Sequence, residues 1–141
     1  MVGIYGTKMY RIFISHAWEY NDEYYRLINM LDKALYFTYI NYSVPEHDPI
    51  RIRPSDQLGL EQALYDQIRP THIVLILSGM YVNYRKWIQK EIDIALELRK
   101  PIIGIIPWGQ ERILVEVQSI ANEMVGWSTL SIVDTIRRNA L

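Results

Sequence analysis

Cysteine is absent from the 141-residue sequence, which excludes disulfide bridges, thiolate metal ligands and a cysteine nucleophile. Only three histidines occur, too few for a histidine-rich metal site. No apolar run approaches the roughly 18 residues that a membrane-spanning helix needs, and no signal-peptide pattern opens the chain. We therefore expect a cytoplasmic protein with no membrane partner.

An excess of one charge sign is also missing, because the formal net charge is -1. This balance disfavours nucleic acid as a partner. The sequence has no glycine-rich phosphate loop and no Gly-x-Ser-x-Gly nucleophile elbow. Its composition, 50% hydrophobic and 22% charged, fits one globular domain. We predict an N-terminal arm at residues 1–9 and a single domain at residues 10–141.

The clearest pattern lies at residues 72–107 and predicts one β-α-β unit. Residues 73–77 form an apolar run that is too short for a helix and rich in β-branched types, as in a strand buried on both faces of a parallel sheet. Residues 102–106 form a second such run. Between them a helical period predicts a helix that ends at Lys100-Pro101, with an apolar stripe of Ile88, Ile92, Ala95 and Leu96.

The first half of the chain predicts two more strands and two helices. Residues 10–14 read as a strand, and the aromatic and β-branched residues 36–42 as an edge strand. The helix between them, capped by Asn21 or Asp22, has an apolar face of Tyr24, Leu27, Ile28, Leu31 and Leu35. After a long loop at residues 43–57, Ser55 or Asp56 caps a helix with Leu60, Ala63, Leu64 and Ile68 on one face.

The C-terminal third completes an alternating pattern. Residues 114–121 predict a helix, residues 123–125 a strand and residues 130–139 a last helix, capped by Ser128 or Thr129. Strand and helix then alternate five times. The simplest fold that fits this alternation is α/β and flavodoxin-like. We predict a three-layer sandwich around a five-stranded parallel sheet in the order 2-1-3-4-5.

A candidate site follows from that strand order. Ligands of open parallel sheets bind outside the carboxyl ends of the strands, at the point where the order reverses. Here that point lies between the first and third strands, which end at Ser15-His16 and at Ser78-Gly79. Trp87 and Glu91, four residues apart, share one face of the helix that follows. The alternative for this pair is structural, with Glu91 solvated or paired with Lys90 or Arg99.

Residues Glu46, His47 and Asp48 suggest a metal site, because all three types bind metal ions. Adjacent residues rarely converge on one ion without ligands from elsewhere in the chain. We therefore predict a solvated loop here and no metal.

Two segments resemble TIR domains. Residues 13–18, FISHAW, resemble the box at the end of their first strand, although Arg11 replaces the acidic residue usual before it. Residues 78–92 resemble the segment that carries the glutamate of the NAD-cleaving members, with Ser78, Tyr81, Trp87 and Glu91 in place. Further blocks at residues 41–49, 100–109 and 126–127 resemble the TIR-like family that includes the sensor subunit of the bacterial Thoeris anti-phage system.

This resemblance implies a TIR-like fold and an enzyme that cleaves NAD at the nicotinamide-ribose bond and cyclises the ADP-ribose into a signal. NAD is then a substrate, and no resident cofactor is expected. The resemblance implies that Glu91 is catalytic. It also suggests that Trp18, Tyr81 and Trp87 stack on the substrate or exclude water, and that Ser15, His16 and Ser78 hold ribose or phosphate oxygens, although His16 fits a capping role equally well.

The partners implied by the resemblance are NAD and an effector protein reached through a diffusible nucleotide signal. Activation would come from self-assembly or from a phage-derived trigger. The alternative is a catalytically silent TIR-like adaptor that acts through protein-protein contacts, since a fold by itself does not fix a function.

Overall fold

The computed structural model describes residues 8–15, 22–43, 57–77, 85–106 and 115–141, without the side chains of Gln57, Leu58, Leu60, Arg85 and Trp87. These residues contain five strands in one sheet, in which every pairing is parallel. The strands are β1 (Met9–Ser15), β2 (Thr38–Asn41), β3 (Ile73–Leu77), β4 (Ile102–Ile105) and β5 (Glu123–Val125). Their spatial order, β2-β1-β3-β4-β5, confirms the predicted fold class.

Within the described ranges, five helices connect and follow the strands. They are α1 (Asp22–Lys33), α2 (Gln57–Ile68), α3 (Arg85–Glu97), α4 (Val115–Gln118) and α5 (Thr129–Asn139). Helix α1 contacts α5, and α2 contacts α3, as expected for helix layers on the two faces of the sheet. Ser128 caps α5 as predicted, its hydroxyl accepting a hydrogen bond from Ser131 N at 3.4 Å. No helix in the described ranges is long and apolar enough to cross a membrane.

The centre of the sheet is apolar on both faces. All five residues of β3 are fully buried, and so are Ile12 and Ile14 of β1 beside them. The register pairs Ile12 with Ile73 and Ser15 with Ile76, so the two strands end almost level. Because helices cover both faces, these strands need no polar side, which explains their continuous hydrophobic runs.

The predicted apolar stripe of the first helix was wrong at its last position. Helix α1 ends at Lys33, and Leu35 is 80% exposed. Tyr36 adopts a left-handed conformation with a φ of 57°, so it belongs to a turn rather than to the predicted edge strand. The Tyr36 carbonyl accepts a hydrogen bond from Arg137 Nη2 at 2.7 Å. The chain must reverse direction here to reach β2. The helix therefore ends before Leu35, although Leu35 fits the helical spacing of apolar residues.

The predicted stripe of α3 was also wrong at Leu96, which is 47% exposed. Ile88, Ile92 and Ala95 are fully buried as predicted, but Glu91 lies inside the same face and is also buried. The centre of the buried face of α3 therefore lies closer to Glu91 than the pattern of apolar residues predicted. Leu96, one residue beyond Ala95, is turned about 100° away from it around the helix axis.

A left-handed residue also ends α3. Arg99 has a φ of 57°, and Lys100 N donates to Ala95 O at 2.9 Å. Pro101 O then accepts a hydrogen bond from Val74 N at 2.9 Å, which attaches the chain to β3 just before β4 begins. Residues 98–101 thus link the helix directly to the sheet.

Gly104 of β4 has little room for a side chain. A Cβ there would clash with Met124 Sδ and lie 2.7 Å from Met124 Cε and 3.0 Å from Val117 Cγ1. We expect Gly104→Ala to lower the free energy of unfolding by about 1–3 kcal/mol, the usual cost of overpacking. Denaturant unfolding measures the change.

A double-mutant cycle checks the cause of that loss. Met124→Ala should recover part of it, because the methionine supplies the two nearest atoms. Additive effects of the two substitutions would contradict this account.

Candidate active site

Ser15 occupies the carboxyl end of β1, next to the point where the strand order reverses. It is fully buried, and its Oγ has no hydrogen-bond partner among the described residues. Most buried hydroxyls in folded proteins do have a partner, because an unmet donor costs free energy. The Ser15 hydroxyl is therefore available to a group outside the described residues, such as a ligand.

Glu91 is the most unusual side chain in the described ranges. It is 1% exposed, and among the described residues it is the only Asp, Glu, Lys or Arg that is buried. It is the seventh residue of α3, so it lies about 9 Å along the helix from Arg85. This burial overturns the alternative in which Glu91 is a solvated surface residue.

A carboxylate in this position costs stability that an apolar side chain would not. Transfer of an ionised carboxylate from water to a protein interior carries a penalty of several kcal/mol before compensation. Ile88, Ile92 and Ala95 show that the same face of α3 accommodates apolar residues. A carboxyl group kept in the interior at such a cost is a candidate for function, because catalysis uses electrostatic groups held out of water.

The neighbouring Lys90 contacts the adjacent helix. Its Nζ lies 3.5 Å from Glu61 Oε1, so this ion pair joins α3 to α2 at the protein surface. The pair has half-exposed partners and contributes little to stability on its own. Lys90 thus has an ion-pair partner in Glu61, outside its own helix.

The side chains of Tyr24, Asn41 and Ser43 form a hydrogen-bonded network on the side of β1 that faces β2. We did not predict this network from the sequence. Asn41 Nδ2 donates to the Tyr24 hydroxyl at 2.6 Å, and Ser43 N donates to Asn41 Oδ1 at 2.9 Å. Ile14 N in turn donates to Ser43 Oγ at 2.8 Å. An Asn at the end of a strand with a Ser two residues later is the signal that could have indicated the turn at Asn41–Ser43, because both side chains bond to nearby backbone.

Glu23, in the first turn of α1, was also not predicted. Its Oε2 is buried and has no hydrogen-bond partner among the described residues. Burial raises the pKa of Glu23, Asp22 raises it further, and Arg26 partly offsets both. Glu23 lies one turn before the fully buried Leu27, and this spacing was the available signal.

The other predicted site residues lie outside the described ranges. These are His16, Trp18, Ser78 and Tyr81; Trp87 is in α3, but its side chain is not described. Ser15 and Glu91 are therefore the two members of the predicted site that the structure describes, and both are buried. That all seven residues border one cleft stays a prediction.

A metal site receives no support from the described residues. Within the described ranges, no three His, Asp or Glu side chains form a group that could hold a metal ion, and Glu46, His47 and Asp48 lie outside those ranges. A groove of about 480 Å³ lies between α1 and α5. None of the predicted site residues lines it.

Comparison with known proteins decides the family. The profile of the family described as Thoeris protein ThsB, TIR-like domain, matches residues 13–112, which is more than half of the chain. The chain belongs to this family. No curated protein matches the sequence of this TIR-like domain.

Solved structures that resemble the TIR-like domain include the Clostridium botulinum CMP N-glycosidase BcmB, with a TM-score of 0.46 and 12% sequence identity. The match covers 90% of this chain and 98% of that one.

The raised pKa of Glu23 has a consequence for stability. Because the folded state binds this proton more tightly than the unfolded state, Glu23 makes stability fall as pH rises from its ordinary pKa of 4.5 through the raised value. Glu23→Gln removes that dependence. We therefore expect the melting temperature of the variant, relative to the wild type, to be higher at pH 7 than at pH 4.

Glu116→Gln is the matched control for this measurement. Glu116 is an exposed glutamate in the first turn of α4, so its substitution should give no comparable gain at pH 7. A Glu23→Gln difference that is constant between the two pH values would show that Glu23 does not titrate abnormally.

Proposed function

We propose that this TIR-like domain cleaves the nicotinamide-ribose bond of NAD and cyclises the remaining ADP-ribose into a signal for an effector in anti-phage defence. The observation that carries the proposal is the buried carboxylate of Glu91, in the helix that follows β3. Family membership supports the same biological setting. NAD is the substrate in this proposal, and no resident cofactor takes part.

The reaction needs little help from acids or bases. When the bond between ribose C1′ and the pyridinium nitrogen breaks, the electron pair leaves with nicotinamide, which departs neutral without being protonated. The ribose acquires oxocarbenium character in the transition state, as in glycoside cleavage. A carboxylate held out of water opposite this cation stabilises it more strongly than one in solvent. We assign this role to Glu91.

The fate of the ribose cation depends on which nucleophile reaches C1′. Attack by an atom of the same ADP-ribose gives a cyclic product, whereas attack by water gives ADP-ribose. Exclusion of water favours the cyclic product. In the proposal Trp18, Tyr81 and Trp87 stack on the substrate and exclude water. The hydroxyl of the buried Ser15 bonds to ribose or phosphate oxygens, together with His16 and Ser78.

One observation favours the alternative of a silent adaptor. The groove between α1 and α5 carries two exposed leucines, Leu35 at 80% and Leu130 at 84% exposure. Exposed apolar residues that line a groove are typical of contact surfaces for other proteins. An adaptor would use such a surface and would not need a carboxylate in its interior.

The central test is Glu91→Gln, which keeps the side-chain shape and removes the negative charge. We expect kcat for NAD cleavage to fall at least about a hundredfold, the scale of losing one electrostatic stabiliser. The melting temperature should change little, since the variant keeps the size and shape of the side chain. Chromatography of NAD and its products, with and without lysate of phage-infected cells, measures turnover.

Glu97→Gln is the matched control, because Glu97 is an exposed residue of the same helix. It should retain wild-type turnover. Unchanged turnover in Glu91→Gln would eliminate Glu91 as the catalytic residue. A purely structural role would instead appear as a loss of about 3–5 kcal/mol of stability, as when a buried ion pair is broken. A wild-type protein that never consumes NAD, even with lysate, would favour the adaptor.

A further inference from the structure

The chain leaves the sheet after β2 in an unusual way. Tyr42 N still donates to Ile12 O at 2.8 Å, which continues the parallel ladder one residue beyond the end of β2. The next donor on β1 is Ile14 N, and it bonds to the side chain of Ser43, at 2.8 Å. A regular parallel ladder would supply a backbone carbonyl at this step. The Ser43 hydroxyl takes its place.

Asn41 and Tyr24 hold Ser43 in that position. The bond from Ser43 N to Asn41 Oδ1, at 2.9 Å, is an Asx-turn that bends the chain at the end of β2. Asn41 is itself fixed by its 2.6 Å bond to the hydroxyl of Tyr24, which is 7% exposed in α1. The three side chains therefore tie α1 and β2 to β1 beside the carboxyl edge of the sheet.

Ser15 is the residue that this arrangement affects most directly. On one side it pairs with Ile76 of β3. On the β2 side, the hydrogen bond nearest to Ser15 within the described residues is the one from Ile14 N to Ser43 Oγ. The direction of the Ser15 hydroxyl depends on the backbone at Ile14-Ser15, so Ser43 controls it across one peptide unit.

We propose that Tyr24, Asn41 and Ser43 are positioning residues that hold Ser15 in the geometry needed to bind the ribose or phosphate oxygens of the substrate. This inference rests on the proposed function, since it assigns Ser15 to the same site. None of the three touches the substrate in this account. They act through the Ile14-Ser15 backbone, and a displacement of that backbone would weaken the hydrogen bonds from the Ser15 hydroxyl to the substrate.

The test compares variants that each remove one group of the hydrogen-bonded network of Tyr24, Asn41 and Ser43. Ser43→Ala deletes the acceptor for Ile14 N, and Tyr24→Phe deletes only the hydroxyl that fixes Asn41. We expect KM for NAD to rise about tenfold in Ser43→Ala, equivalent to one hydrogen bond of substrate binding, and less in Tyr24→Phe, which acts at one further remove. The change in kcat should be smaller. Ser43→Thr keeps the acceptor oxygen, so its KM for NAD should stay close to the wild-type value.

Thr71→Val is the matched control for lost stability. Thr71 is 1% exposed, and its Oγ1 donates to Ile68 O at 2.7 Å, in the turn that precedes β3 and so at the opposite edge of the sheet from Ser15. It loses a buried hydroxyl just as Ser43→Ala does. Both variants should melt at a lower temperature than the wild type, but only Ser43→Ala should raise KM.

Two readouts separate this inference from the proposed function. Hydrogen exchange at the Ile14 and Ser15 amides should be faster in Ser43→Ala than in Thr71→Val, and calorimetry should show weaker binding of ADP-ribose. If the wild type cleaves NAD while Ser43→Ala keeps its KM and its affinity for ADP-ribose, the positioning role is refuted and the proposed function stands. A wild type that neither cleaves NAD nor binds ADP-ribose in any condition refutes both.

Discussion

The parallel pairing of β1 with β3 is the constraint on which the rest of this structure depends. Parallel neighbours require a crossover after each strand, so every strand must end at the same edge of the sheet. Ser15 ends β1 there, and the helix that carries Glu91 follows β3. Strand direction therefore places Ser15 and the end of β3, the strand that precedes the helix of Glu91, at the same edge of the sheet.

Much of this arrangement was predictable because the signals are local and strong. The apolar run at residues 73–77 is fully buried in β3, and the run at residues 102–106 differs from β4 by one residue. The alternation of short strands with helices leaves few topologies once crossovers must be right-handed. The predicted strand order is confirmed for these reasons.

The failures occurred where tertiary contacts compete with periodicity. Leu35 fits the helical period of α1, but the turn at Tyr36 and its bond to Arg137 end the helix before it. Glu91 lies within the buried stripe of α3, a depth that helical spacing does not reveal. The bond from Asn41 to Tyr24 depends on how α1 approaches β2, and no sequence pattern encodes that approach.

The left-handed turn at Arg99 has a consequence for how tolerant this part of the chain is to length changes. Residues 98–101 pass from α3 to the sheet, with Lys100 N bonded to Ala95 O and Pro101 O accepting from Val74 N. Both ends of this link are held by hydrogen bonds, so the link cannot take up an extra residue. One residue inserted within α3 after Glu91 would be absorbed by rotating the preceding turns about 100°. The carboxylate would then leave the interior while every side chain of the site kept its identity. For Glu91, therefore, chain length at the far end of the helix matters as much as residue type.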